Sequence, residues 1–341
     1  EQRLQMAGEP IHAEDVATAP QPTSVQDEAL RALEATRISG YQRGLVVMAT
    51  GLGKTWLAAF DTSRPLYRKV LFVAHREEIL NQARDIFGRK NPTGKFSVFM
   101  GAQHDVSGDV VFASVQALQG HLAEIDPDVF DYVVVDEFHH AAAPTYRRVI
   151  SHFEPSFLVG LTATPDRTDA ADLLALCDDN LVYECGLVAG LERNLLSPFR
   201  YRAIRDVADY EHIPWRSGRF DIDELAQRLE TEERSQQVYD EWLKANGPAS
   251  RALGFCCSIS HANHMAAFFT ARGVRAVAVH SGAGSAPRAE SLDALEAGQL
   301  SVVFTVDLFN EGVDVPNIDL VMMLRPTESQ ILFLQQLGRG L

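Results

Sequence analysis

Two rhythms of hydrophobic and polar positions alternate along the chain. Unbroken apolar runs occur at Leu45-Val-Val-Met48, Val70-Leu-Phe-Val-Ala74, Val110-Val-Phe112, Tyr132-Val-Val-Val135 and Phe157-Leu-Val-Gly-Leu161, with stretches of helical spacing between them. A strand that is apolar at every position has both faces buried, so these runs predict a parallel sheet covered by helices on both sides. Ahead of the first run, Val25, Ala29, Leu30, Ala32 and Leu33 recur at helical spacing behind Ser24, a residue suited to cap. They predict an amphipathic helix over Val25–Thr36. Residues 1–23, with Pro10, Pro20 and Pro22 among Ala, Gln and Thr, follow neither rhythm and read as a linker.

The alternation resumes at Leu253–Cys257, Arg275–Val279, Ser301–Thr305 and Leu320–Leu324, with helical patterns near Ala262–Arg272 and Ala286–Ala297. That predicts a second α/β unit. From about Asp178 to Pro248 the pattern is more polar, with helices expected over Asp221–Leu229 and Arg234–Ala245. The expected division is a first domain over 24–200, a connecting segment over 201–248 and a second domain over 249–341. A length of 341 residues suits two domains, each able to bury its own core.

Composition narrows the classes. Apolar residues at 46% and charged residues at 23% lie near globular averages. No apolar run approaches the roughly 20 residues needed to span a bilayer, so a soluble protein is expected. The first stretch, opening on Glu1, lacks the basic and apolar regions of a signal peptide, and both ends read as boundaries within a longer chain. Cys177, Cys185, Cys256 and Cys257 show no C-x-x-C spacing, so a reducing cytoplasmic setting is expected rather than a zinc or iron–sulfur site. A formal charge of −15 argues against non-specific coating of nucleic acid, while leaving room for a local basic groove.

The strongest chemical signal is Leu45-Val-Val-Met-Ala-Thr-Gly-Leu-Gly-Lys-Thr55, which passes directly from a strand pattern into a helix pattern through Trp56, Leu57 and Ala58. This is the context a phosphate-binding loop requires. Gly51 and Gly53 let backbone amides close around phosphates, Lys54 reaches the outer phosphates, and Thr55 ligates magnesium. Met48 stands where the strict pattern has a small residue. A second Gly-Lys pair, in Gly88-Arg-Lys-Asn-Pro-Thr-Gly-Lys95, has Phe96 in place of the hydroxyl and no preceding apolar strand. Asp136 and Glu137 follow the run Tyr132–Val135, where the carboxyl end of a parallel strand places them beside the loop. Asp136 then suits magnesium and Glu137 the attacking water. Read alone, paired acids also end ordinary surface turns.

With Asp136-Glu-Phe-His139 added to Ala49-Thr-Gly-Leu-Gly-Lys-Thr55, the chain resembles the superfamily 2 helicases and translocases, the DEAD/DEAH-box relatives. Further segments fall in the family order. Leu71-Phe-Val-Ala-His-Arg-Glu-Glu78 resembles motif Ia, Ala113-Ser-Val-Gln116 the adjoining strand-contact segment, and Gly160-Leu-Thr-Ala-Thr-Pro165 motif III. Phe255-Cys-Cys-Ser-Ile-Ser260 resembles motif IV, Thr305-Val-Asp-Leu-Phe-Asn-Glu-Gly-Val-Asp-Val-Pro316 motif V, and Gln335-Gln-Leu-Gly-Arg-Gly340 motif VI. The likeness covers Val25 to Leu341 and is nearest to the group containing type III restriction motor subunits.

That resemblance implies two tandem RecA-like domains, each a mostly parallel sheet flanked by helices, with ATP and Mg2+ held between them. Thr50, Gly51, Leu52, Gly53, Lys54 and Thr55 would cradle the nucleotide, and Gln26 would read adenine, although Thr23-Ser-Val25 replaces the proline and aromatic common there. Thr55 and Asp136 would hold the metal. Glu137, Lys54 and Arg339 would be catalytic, with Gly312, Asp314 and Arg339 closing over ATP. His75, Arg76, Gln116, Ser258 and Thr305 would line the nucleic-acid path, while His139, Thr162, Thr164 and Gln335 would couple the sites. His75 and Ser258 also fit as polar strand ends, and His140 and His280 as surface or capping residues.

The resemblance implies an ATP-dependent helicase or translocase on nucleic acid, DNA more than RNA, with nuclease-like or recognition domains elsewhere in the full-length protein. The alternative is an ATP-regulated nucleic-acid-binding module of a larger restriction, defence or repair protein. The family's motif VI continues into an arginine just past Leu341, so these residues alone are expected to hydrolyse ATP poorly.

Overall fold

The computed structural model describes residues 20–163, 170–216, 219–245, 249–306, 318–327 and 329–340. Strands β1 (Arg43–Met48), β2 (Val70–Ala74), β3 (Phe96–Met100), β4 (Gln103–His104), β5 (Val110–Ser114), β6 (Tyr132–Val135), β7 (Phe157–Thr162) and β8 (Leu181–Cys185) form one sheet. Its spatial order is β4-β3-β5-β2-β6-β7-β1-β8, parallel except for the β3–β4 pair. Helices α1 (Ser24–Ile38), α2 (Lys54–Thr62), α3 (Glu77–Lys90), α4 (Val115–His121), α5 (Pro144–His152), α6 (Ala170–Ala175) and α7 (Leu187–Glu192) accompany it.

The unbroken apolar runs behave as two-sided burial demands. Val46, Met48, Phe72, Ala74 and Val134 enter a core with Val25, Leu33, Leu57, Leu80 and Phe87 from α1, α2 and α3. The alternate residues Leu45, Val47, Leu71, Val73 and Val135 enter a second core with Leu118, Tyr146, Val149 and Phe153. Each fully buried side chain of this kind contributes about 1.5–3 kcal/mol, which fixes the register. Val47 lies opposite Thr162, Val135 opposite Gly160 and Val73 opposite Val135, so the carboxyl ends of β1, β7, β6 and β2 emerge along one edge.

A charged residue sits deep beneath the same sheet. Asp61 is buried, accepts two 2.8 Å hydrogen bonds from Arg37 and one of 2.5 Å from the Tyr132 hydroxyl, and so ties α1 and α2 to β6. A buried carboxylate is tolerable only with such saturation. Burial and the Asp61 charge push the Tyr132 hydroxyl well above its ordinary range.

The chain then passes through a hairpin, β9 (Trp215–Arg216) with β10 (Arg219–Phe220), and two helices, α8 (Ile222–Leu229) and α9 (Glu232–Ala245). A second parallel sheet follows, ordered β12-β13-β11-β14, from β11 (Ala252–Phe255), β12 (Ala276–Val279), β13 (Val302–Thr305) and β14 (Leu320–Met323). Helices α10 (Ile259–Thr270), α11 (Arg288–Glu296) and α12 (Gln330–Leu337) complete it. Trp242 of α9 packs in the same core as Met265, Phe269 and Phe304.

Arg234 of α9 is the polar hub of this half. Its Nε reaches both Asp206 oxygens at 3.1 and 3.0 Å, its Nη2 donates to Leu324 O at 2.8 Å, and its Nη1 stands 3.3 Å from His261 Nε2. His261 is fully buried, and burial together with the Arg234 charge pushes its pKa down to about 3.

Several elements depart from the sequence expectations. The first helix starts at Ser24 with Thr23, not Ser24, as its cap, because Gln26 returns a bond to the Thr23 amide. β3, β4 and β8 were not foreseen: they lie towards the sheet edges, where Ser97 and Glu184 break the apolar run. The second Gly-Lys pair lies between the end of α3 and β3, the reverse of the strand-to-helix order a phosphate loop needs. All four cysteines are buried and unbridged. Among the described residues, no helix is long and apolar enough to cross a membrane.

Candidate active site

The site grows from the shared sheet edge. β1 ends at Met48, whose side chain is buried in the core; only its carbonyl serves the loop, which explains why a large residue is accommodated. The loop then turns through Gly51 at φ +89° and Gly53 at φ +78° into α2. Both conformations are left-handed and favour glycine. Space demands glycine too: a Cβ on Gly53 would collide with the Gln26 amide, and one on Gly51 would stand 3.1 Å from Leu196 Cδ2. Lys54 Nζ donates to Met48 O at 3.3 Å, holding its ammonium across the mouth of the loop.

Gln26 is placed underneath rather than beside this loop. Its Nε2 donates to Leu52 O at 3.3 Å and Gly53 O at 3.2 Å, while its Oε1 accepts from the Thr23 amide at 2.9 Å. Both amide protons are therefore committed to the phosphate loop, which leaves one acceptor lone pair for any base. Sequence reasoning found the residue but not this bracing role. Leu196, packed against the loop from the segment after α7, carried no sequence signal at all.

Asp136 and Glu137 leave β6 two strands away from the loop's own strand. Asp136 is buried, and its Oδ1 accepts from the Glu137 amide at 2.9 Å. Glu137 adopts φ 48° and ψ 52°, a left-handed conformation rare for a side-chain-bearing residue. Its Oε2 is buried without a hydrogen bond among the described residues, 3.4 Å from His139 Nδ1. A buried carboxylate oxygen with spare accepting capacity fits a group that must hold a water. The Thr55 hydroxyl and Asp136 carboxylate are hard oxygen donors of the kind magnesium selects, so the residues present fit that ion.

His139 Nδ1 also lies 3.4 Å from Thr162 Oγ1, at the buried end of β7. His139 and His140 are successive residues of a short 3-10 turn over Phe138–Ala142, and their rings approach to 4.2 Å. His75, just beyond β2, meets His140 edge-on at 4.4 Å, and Arg76 Nε donates to His75 Nε2 at 3.2 Å. Gln116 is exposed in the first turn of α4, beyond β5 on the same sheet edge.

From the second half, Gly338 reaches the loop: a Cβ there would stand 2.7 Å from Thr50 Cβ. Gln335 is buried on α12, and Arg339 belongs to the short turn Gly338–Gly340, its side chain outside the described residues. Thr164, Gly312 and Asp314 also lie outside the described residues. Ser258 caps α10 by accepting from the His261 amide at 3.0 Å. Thr305 is fully buried with its hydroxyl donating to Val306 O at 3.1 Å, so in this conformation it can affect a bound strand only indirectly. Across the gap, Arg288 Nη1 meets Glu78 Oε1 at 2.9 Å, a contact sequence reading did not anticipate.

Comparison with known proteins agrees with this architecture. Residues 19–167 match the model of the type III restriction enzyme res subunit, and residues 233–341 match that of the helicase conserved C-terminal domain. The chain belongs to the superfamily 2 helicases, in the group of the type III restriction motor subunits. Over 95% of its length it is 27% identical to a Saccharomyces cerevisiae protein provisionally named ATP-dependent helicase IRC3, covering 50% of that protein. It is 30% identical over 93% of its length to a Schizosaccharomyces pombe protein provisionally named mitochondrial ATP-dependent helicase irc3, covering 54%. It thus spans about half the length of these curated relatives. A fragment provisionally assigned as the HsdR subunit of a type I restriction enzyme from Vibrio vulnificus YJ016 shares the fold, with TM-score 0.69, 24% identity, and coverage of 94% of this chain and 60% of that one.

Proposed function

We propose that the chain is the motor core of an ATP-dependent helicase or translocase acting on nucleic acid, DNA in preference to RNA. The observation that carries this reading is the meeting of three parts on one edge: the glycine loop over braced Gln26, buried Asp136 with its neighbour Glu137, and Gly338 of the second half against Thr50. The restriction-type family and the ATP-dependent helicase names of the relatives support it. The functional division is 24–200 for the nucleotide-binding half, 201–248 for the connection and 249–341 for the closing half.

In this mechanism Lys54 leaves the Met48 carbonyl for the outer phosphates of ATP, and the Gly51 and Gly53 backbone turns the loop amides inward. Glu137 orients the attacking water with its spare oxygen. Thr55 and Asp136 would hold magnesium, which would supply neutralisation of phosphate charge when bound. Arg339 approaches from the second half, so turnover requires closure. Arg76, Gln116 and Ser258 face the strand, and phosphate contacts of that kind are independent of sequence. Cyclic closure and opening then moves the two halves along one strand.

The test is ATPase activity of the complete protein with single-stranded DNA, duplex DNA and RNA. Stimulation by DNA above RNA is expected. Glu137→Gln should abolish hydrolysis while keeping ATP binding, and Lys54→Ala should weaken both. Unchanged hydrolysis in either variant overturns the site, and no stimulation by any nucleic acid overturns the motor. Binding without turnover would point to a nucleic-acid-binding module instead.

A further inference from the structure

Resting on that reading, we propose that His140 is a positioning residue that transmits strand engagement at His75 and Arg76 to the catalytic Glu137 through a continuous chain of imidazole ring contacts.

Each link is a direct contact. Arg76 Nε donates to His75 Nε2 at 3.2 Å. The His75 ring meets His140 at 4.4 Å between centroids with planes at 68°, and His140 meets His139 at 4.2 Å and 45°. His139 Nδ1 closes the series 3.4 Å from Glu137 Oε2 and 3.4 Å from Thr162 Oγ1. Centroid separations this short leave no layer of water between rings, so a shift of His75 has to be taken up by His140. The chain of ring contacts joins two strand ends, because His75 follows β2 and the other two histidines follow β6.

The turn that carries His139 and His140 is suited to respond. Glu137, immediately before it, holds φ 48°, a conformation that an L-residue keeps only when its surroundings impose it. One side of the turn is fixed: Phe138 is fully buried, and a Cβ on Gly160 would lie 2.6 Å from its ring. The opposite side rests on His140, which packs against His75 and lies beside Tyr146 at 6.3 Å. A change of packing at His140 therefore rotates the turn about Phe138 and moves the Glu137 carboxylate. His140 belongs to no expected nucleotide or strand contact, so its effect should differ from that of either site.

The experiment uses the complete protein and a single-stranded DNA oligonucleotide. His140→Ala should lower DNA-stimulated kcat on the order of 10-fold, with KM for ATP and oligonucleotide affinity within about twofold of the unsubstituted protein. His140→Phe, which restores a ring, should recover most of the stimulation. In a double-mutant cycle, His75→Ala with His140→Ala should lose no more stimulated kcat than the worse single variant. If His140→Ala does not fold, His140→Gln, which fills the space without a ring, carries the same expectation. Undiminished stimulation in a folded ring-less variant refutes the relay, as do single losses that multiply in the double variant. Lack of stimulation in the unsubstituted protein would instead remove the motor reading, and this inference with it.

Discussion

Replacing Gln26 by Ala separates two roles that one side chain could play at the nucleotide. The substitution deletes three hydrogen bonds: two from Nε2 to Leu52 O and Gly53 O, and one from the Thr23 amide to Oε1. At about 1 kcal/mol each for buried neutral bonds, the loss of folding stability is about 3 kcal/mol. For a domain of this size that lowers the melting temperature by about 6–12 °C. The loop above loses its brace, and loss of preorganisation of that kind costs about 1–2 kcal/mol of triphosphate affinity, about 5- to 30-fold, whatever the base. Only the remaining lone pair of Oε1 can distinguish bases, and one hydrogen bond allows ATP a further loss of about 12-fold at most. Titrating the variant with fluorescent ATP and GTP analogues, alongside a thermal melt, reads both quantities. A variant with unchanged melting temperature that loses ATP more than about 50-fold and keeps GTP would show that Gln26 reads the base and that the bracing argument is wrong.

Two further outcomes follow from the second half. The His261 pKa, pushed down to about 3 from 6.5, means the unfolded chain binds a proton there that the folded chain refuses. This contribution is complete above about pH 6.5 and is lost as pH falls towards 3, by a few kcal/mol in all. Denaturant unfolding of His261→Gln should therefore show a shallower acid decline over that window, and an unchanged slope refutes the assignment. Gly338→Ala adds a Cβ 2.7 Å from Thr50 Cβ at a position whose φ of −62° suits alanine, so the clash alone is tested. Overpacking of about 1–3 kcal/mol against closure should slow ATP turnover about 5- to 160-fold with little change in thermal stability. Full activity would place the closing contact elsewhere.

What the sequence revealed depended on whether the physics was local. The glycine loop and the Asp136–Glu137 pair are legible because a strand, a turn and a helix start lie within a few residues, and strand burial makes each run apolar. Strands β3, β4 and β8, at or next to the sheet edges, are harder, since buried Ser97, which accepts from the Gly108 amide, and exposed Glu184 interrupt the apolar period. Thr305 was read by its place in a motif, yet burial decides what a hydroxyl can touch, and burial is set by neighbours distant in sequence. The same holds for Arg234, whose partners Asp206, His261 and Leu324 lie 27 to 90 residues away.

The distribution of these contacts also bears on how the motor would cycle. Among the described residues, the phosphate loop is braced chiefly from the first half: Gln26 by its side-chain amide, Leu196 by packing, Met48 through its carbonyl to Lys54. The second half contributes a close approach at Gly338 and the Arg288–Glu78 ion pair, whose side chains are 23% and 49% exposed. A pair that exposed is worth about 0–1 kcal/mol. A loop already shaped from the first half would suit nucleotide binding first and closure second, with the bound triphosphate adding adhesion between the halves. Hydrolysis would then remove the outer phosphate that both halves would share, and opening would follow from that loss of shared contact.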